Sequence, residues 1–268
     1  MESLPSFRRP PVVETALSVQ FQILERFGNA HLGLFWQLVR EDFPERHDAD
    51  PIEPQLERFG DARELSRLPQ LRLVTSHQGA RLRMSSADGH EMLQLQNGRL
   101  VYNWRRLENG EYPRWRNVKP VFLSALGKFQ SFLESESIDE LRPQQWEVTY
   151  VNYFERGREW ESPCDWPALL PSLLGHADRV SVASFESLGY RSSFVIPEQA
   201  GRLHVELNHG LSGPETDSKE LLIMKLTARG EITEIEQMES RLSLGRNTIV
   251  GAFGEMTGDC AQQLWERE

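Results

Sequence analysis

A chain of 268 residues with a formal net charge of -10 and a pI near 5.3 lacks the overall charge of a protein whose whole surface neutralises phosphates, which leaves room only for a local basic patch. Apolar residues at 39% and charged residues at 26% exclude a disordered composition, and a chain of this size buries roughly three quarters of its unfolded surface, so a real core is expected. Cys164 and Cys260 are the only cysteines and stand far apart, which removes disulfide frameworks and zinc spacings; both read as small buried hydrophobes.

Met1 to Pro11 carry Arg8, Arg9 and three prolines but no apolar run of the signal-peptide kind. No window reaches the roughly 20 apolar residues of a membrane helix. A cytoplasmic protein that does not engage a membrane is the expectation.

The first expected element is a strand, because Leu17, Val19 and Phe21 alternate with Ser18 and Gln20. Beyond Gly28, the recurrence of Leu34, Phe35, Leu38, Val39 and Phe43 predicts an amphipathic helix over Ala30 to Phe43, with Asn29 as its N-cap and Pro44 as its stop. A polar connection follows from Glu45 to Pro69, where His47, Asp48, Asp50 and Glu53 lack the glycine-bearing loop of a calcium site and read as solvated. From Leu71 to Trp115 the turn signals His77-Gln78-Gly79, Asp88-Gly89, Asn97-Gly98 and Asn109-Gly110 separate alternating sets, the pattern of a meander of about five strands with type I′ turns.

Val118 to Glu136 returns to helical period through Phe122, Leu126, Phe129, Phe132 and Leu133, with Pro120 in the first turn. After Pro143, Trp146 to Phe154 reads as a strand. Asp165 then caps a short helix through Leu174 that Gly175 ends. Strands are expected at Ser181 to Leu188, Tyr190 to Ile196, Arg202 to Asn208 and Leu221 to Ala228, the last two joined by the loop Gly210 to Ser218. A long helix from Met238 closes the chain, its stripe running Ile249, Phe253, Met256, Cys260, Leu264. Gly251, Gly254 and Gly258 on its other faces would permit close approach to the sheet or a partner.

Both halves, 1–142 and 143–268, thus show strand, helix, antiparallel meander, helix, at an offset of about 130 residues. The fold class is α+β: two similar halves packed as one unit, forming a sheet covered on one face by amphipathic helices. An internal duplication is compatible with this order, and the other sheet face would stay open.

Several strings carry a family resemblance: Pro10-Pro11-Val12-Val13-Glu14 leading into Leu17-Ser18-Val19-Gln20-Phe21, then Leu95 to Arg105 (LQNGRLVYNWR) followed by Tyr112-Pro113-Arg114. Thr149-Tyr150-Val151-Asn152, Leu226 to Gly230 (LTARG), Phe253 to Thr257 (FGEMT) and Leu264-Trp265 continue it. Over nearly its whole length the chain resembles a sporadically distributed prokaryotic family of unestablished activity. That resemblance implies an accessory role, of the defence or toxin-antitoxin type, and brings no catalytic residue, cofactor or metal ligand with it.

One strip combines charge and rings. Arg99, Arg105, Arg106, Tyr112, Arg114, Trp115 and Arg116, with Tyr102, Trp104 and Lys119 among them, interleave groups that pair with phosphate or carboxylate and rings that stack or fill pockets. These are the candidate contact residues for a protein partner or self-association, or alternatively for nucleic acid; the bland alternative is a solvated arginine face over a core of Tyr102 and Trp104. His204, Glu206 and Asn208 share one strand face with His209 at its end, a spacing open to metal or proton chemistry but also predicted by an ordinary amphipathic strand. Nucleophile elbows, phosphate loops and dinucleotide fingerprints are absent from the sequence. A non-catalytic, cofactor-free interaction protein is the preferred expectation, with a hydrolase or metal enzyme at His204 and Glu206 as a further alternative.

Overall fold

Leu17, Val19 and Phe21 are buried on one side of strand β1 (Val12–Phe21), and Ser18 and Gln20 on the other side are buried as well, so both faces of this strand are covered. The computed structural model describes residues 4–59, 80–107, 110–174, 182–212 and 218–268. The N-terminal half continues with α1 (Asn29–Val39), β2 (Glu45–Ala49), β3 (Arg81–Ser85), β4 (Glu91–Gln96), β5 (Arg99–Arg105) and α2 (Trp115–Ser135). The C-terminal half holds β6 (Pro143–Glu155), two one-turn helices α3 (Trp166–Leu169) and α4 (Pro171–Leu174), β7 (Gly189–Ile196), β8 (Gly201–Ser212), β9 (Lys219–Glu231), α5 (Met238–Met256) and α6 (Asp259–Leu264).

The nine strands of the described residues join one antiparallel sheet in the order β2-β3-β4-β5-β1-β6-β9-β8-β7. In each half the first strand goes to the centre and the following strands run from the edge back toward it. The halves meet where β1 pairs with β6, with Leu17 opposite Val148 and Val19 opposite Trp146. The α+β class, the paired halves and the helices on one face are therefore present. Helix α2 lies against β1 and β5, α5 against β6, β8 and β9, and α1 packs on α2.

The α2 stripe Val118, Phe122, Leu126, Phe129 and Leu133 is buried as its period requires, and Phe35 of α1 meets Phe129 edge to face at 5.3 Å. Gly245 brings α5 down onto the sheet, since a Cβ there would stand 2.5 Å from the Trp146 ring.

Several expectations are corrected. Helix α1 buries Leu32, Phe35 and Val39 and leaves Leu34 and Leu38 exposed, because only a narrow stripe of it faces the core beside α2. Its N-cap is Gly28, and Asn29 instead accepts a hydrogen bond from the Ala80 N–H at 3.0 Å. Part of the supposed polar connection is the edge strand β2, whose residues Glu-Arg-His-Asp-Ala lack alternation because neither face enters the core. Among the described residues the expected meander region holds three strands, and residues 71–79 and Asn109 lie outside them. At Asp88-Gly89 and Asn97-Gly98 only the glycines take positive φ, 72° and 93°, so the turns are not type I′; the Asn97 side chain is committed to Leu24 and Phe27, which fixes its backbone.

Helix α2 begins before Val118, which places Pro120 beyond the first turn. Pro171 divides the expected helix after Asp165 in two, while Gly175 and Ser181 lie outside the described residues and 182–188 form no strand. The terminal helix also breaks, at Thr257, whose extended backbone (φ −96°, ψ 142°) lets α6 turn back so that Trp265 stacks on Phe154 at 5.4 Å. Cys260 and Leu264 are consequently exposed, as is Cys164. Of the three glycines singled out, Gly258 admits the Ala168 carbonyl and Gly254 admits Pro5, rather than the sheet.

Candidate functional site

Residues 50–59 cross the sheet on the face opposite the helices, held by a row of amides. Gln96, Gln20 and Gln145, on β4, β1 and β6, are all buried. Gln96 exchanges hydrogen bonds with the backbone of Ile52 (2.8 and 2.8 Å) and Gln20 with that of Gln55 (3.0 and 3.2 Å). Gln145 accepts from the Glu57 N–H and donates to the Gln55 carbonyl, each at 2.6 Å. Each amide has one donor and one acceptor to offer a peptide unit, so the row mimics a strand edge. The face expected to stay open for a partner is therefore crossed at its centre by the chain itself.

Glu57 completes this strap. Its carboxylate accepts from Arg229 Nε (2.6 Å) and from Arg202, and lies 2.6 Å from His204 Nε2. Burial would raise its pKa, but the hydrogen bonds from His204, Arg229 and Arg202 outweigh that and hold it at about 2. His204 is thus engaged by Glu57, not Glu206, which pairs with Arg191 (3.2 Å) and Lys225 (4.0 Å). His209 bonds Glu220 at 2.8 Å, on the other side of the sheet. Among the described residues no three His, Cys, Asp or Glu side chains form a metal-holding group. Held by Arg202, His204 and Arg229, the Glu57 carboxylate fastens the strap to β8 and β9.

The interleaved strip divides. Arg99 turns toward the strap face and bonds Glu147 at 2.8 Å; Arg105 donates to the Gly89 carbonyl at 3.2 Å. Tyr102 and Trp104 enter the core. Arg106, Tyr112, Arg114, Trp115 and Arg116 come together on the helix side, around the N-terminal arm 4–10.

That arm is fixed on two sides. Arg106 donates to the Pro10 carbonyl (2.9 Å), and Arg114 to the carbonyls of Phe7 (2.7 Å) and Arg8 (3.0 Å). On the other side Phe7 bridges to Arg267, and Arg8 and Arg9 donate from their backbones to Glu266 and Trp265 at 3.0 Å. Arg114 itself sits at φ 72°, a left-handed conformation that costs a residue with a Cβ about 1 kcal/mol or more and persists because both ends of its side chain are tied.

Two adjoining cavities result. One, of about 540 Å³, is lined by Arg8, Arg9, Arg106, Arg114 and Arg158, with Glu111 the only acidic residue of its lining among the described residues. Behind it, Glu266 pairs with Arg8 (3.7 Å) and Arg9 (3.2 Å), and Glu159 with Arg158 (3.4 Å). Among the described residues the five guanidinium groups of the cleft outnumber the carboxylates around them, Glu111, Glu155, Glu159 and Glu266, in an acidic chain.

The other cavity, of about 510 Å³, lies between the arm, the start of α2 and α5, and its walls are mainly apolar. Tyr112 and Tyr150 bond hydroxyl to hydroxyl at 2.8 Å on its floor. Burial raises the pKa of both phenols, so they stay neutral donors; Arg246 beside them acts weakly in the opposite sense. Arg246 Nε is buried with no acceptor among the described residues, and Trp115 pairs with no other ring among them. Pro10, Tyr112 and Arg114 line both cavities, which makes them two compartments with a common wall.

Sequence reasoning did not join Arg8, Arg9, Arg158 and Arg246 to the strip. Arg8-Arg9 was visible as a basic pair, but only the pairing of β1 between β5 and β6 carries it to residue 106. Chemically, the arrangement offers fixed positive charge beside an apolar recess, which suits an anion with an apolar portion. Compared with known families and with curated proteins, the chain matches neither a family model nor a curated sequence.

Proposed function

We propose that this chain is a non-catalytic binding component of a prokaryotic accessory system, acting in the cytoplasm, that holds an anionic segment of a partner protein in the arginine-lined cleft. The observation that carries this reading is the set of five arginines around one cleft in a chain of net charge -10. Arginine pairs with carboxylates in bidentate fashion and is enriched, with tryptophan and tyrosine, among residues that dominate interface energetics. An internal duplication belongs to the same proposal, supported by the matching order of elements in the two halves, as does membership of the family that the sequence motifs resemble, supported by those motifs.

Nucleic acid is the second reading, favoured by the rings of Tyr112 and Trp115 beside the guanidinium groups. Fluorescence anisotropy with a labelled Glu-rich peptide and a labelled single-stranded oligonucleotide separates the two. The exposed pair Arg9 and Arg158, replaced by Glu together, is expected to weaken the bound probe by about tenfold or more at low salt. Equal binding by wild type and variant, or no binding of either anion, would overturn the proposal.

A further inference from the structure

Taking the cleft as an anion site, we infer that the two compartments together form a binding site for a nucleoside phosphate, with the phosphate among the arginines and the base in the apolar cavity. The inference rests on the proposed anion-binding role and names the chemistry of the anion.

The cluster of guanidinium groups points to the phosphate. A monoester carries about −1.5 to −2 at neutral pH and three acceptor oxygens, which the convergent arginines meet with charge-assisted donors. Arg158 and Arg9 line the cleft from two separate segments, the connection between β6 and α3 and the arm, so an anion there is met by charge-assisted donors from both.

The second compartment supplies the other half. Its volume of about 510 Å³ falls within the range of small-molecule sites. Trp115, with no ring against it among the described residues, offers a stacking face at the wall next to Arg114. The floor is polar: the Tyr112–Tyr150 hydroxyl pair lies beside Arg246, whose Nε is buried with no acceptor among the described residues. A purely aliphatic occupant would leave that Nε without a partner. A base, flat, apolar on its faces and polar at its edge, satisfies both. The shared wall of Tyr112 and Arg114 sets phosphate and base side by side, as one nucleotide requires.

The test is isothermal titration of the full chain with adenosine monophosphate and guanosine monophosphate as probes, and with adenosine and inorganic phosphate as the separate halves. A mononucleotide should bind at least about tenfold more tightly than either half. Arg158→Glu should abolish that advantage while leaving adenosine binding unchanged; Val250→Trp, which fills the apolar compartment from α5, should remove adenosine and spare phosphate. Thermal melts of both variants check that each is folded, and Arg158→Lys should retain part of the nucleotide affinity. A single-stranded oligonucleotide with and without a 5′-phosphate decides the source: tighter binding of the phosphorylated strand assigns a strand end, and binding of mononucleotide alone assigns a free nucleotide. Equal affinity for monophosphate and inorganic phosphate overturns the inference, as does absence of nucleotide binding at millimolar concentration. If a Glu-rich peptide binds where nucleotides fail, the nucleotide falls and the anionic-partner reading stands; if neither binds, both fall.

Discussion

Glu57 Oε1 lies 2.6 Å from His204 Nε2 although 147 residues separate them in sequence, and the same carboxylate receives Arg229 and Arg202. The contact binds a segment without secondary structure to the last strands of the sheet. Glu57→Gln keeps the shape but removes the charge opposite two arginines that are largely enclosed. A loss of about 2–3 kcal/mol is expected in urea unfolding, at the lower end for a broken buried pair because the cations keep some solvent contact.

The same residue sets the acid limb of stability. Its pKa falls from 4.5 in the unfolded chain to about 2 in the folded one, so the protein holds this proton less tightly than the unfolded state does. The contribution is complete above pH 4.5 and is lost as pH falls toward 2, amounting to about 3 kcal/mol across that window. Acid titrations of the wild type and of Glu57→Gln should differ there and run parallel above it.

Gln145 serves two peptide groups of the strap at once. Gln145→Ala is expected to destabilise by about 1–3 kcal/mol, since the Glu57 N–H and Gln55 carbonyl lose their partners. Amide exchange should accelerate at residues 52–57 before it does in β1 or β6.

Two glycines of α5 should respond in opposite directions. Gly245→Ala places a methyl 2.5 Å from the Trp146 ring, between helix and sheet, and should destabilise by about 1–3 kcal/mol. Gly251→Ala meets nothing closer than Leu4 at 3.8 Å and should stabilise by up to about 1 kcal/mol through helix propensity and a less flexible unfolded chain. Thermal melts of the two variants measure the contrast.

Tyr102, Tyr112 and Tyr150 all have raised pKa values through burial. A phenol whose folded pKa exceeds its unfolded value of 10.0 contributes nothing to pH dependence below that value and destabilises the fold progressively above it. In an alkaline absorbance titration these three phenolates should therefore appear with the unfolding transition and not before it.

What the sequence determined by itself is local: the turns at Asp88-Gly89 and Asn97-Gly98, the alternation of β1 and β5, and the stripe of α2 all follow from short-range periodicity and turn chemistry. Tertiary structure decided which faces those periods served. Ser18 and Gln20 look like a solvated face in sequence, yet they are buried because residues 50–59 lie over them, a contact that no periodicity encodes. Leu34 and Leu38 look like core and are exposed because only the Leu32, Phe35 and Val39 stripe of α1 faces the core beside α2. The arginine cleft shows the same division. Arg106 and Arg114 were legible as part of a basic aromatic strip, but Arg8, Arg158 and Arg246 join them only because antiparallel pairing at the centre of the sheet brings the arm, the end of β6 and α5 to one place.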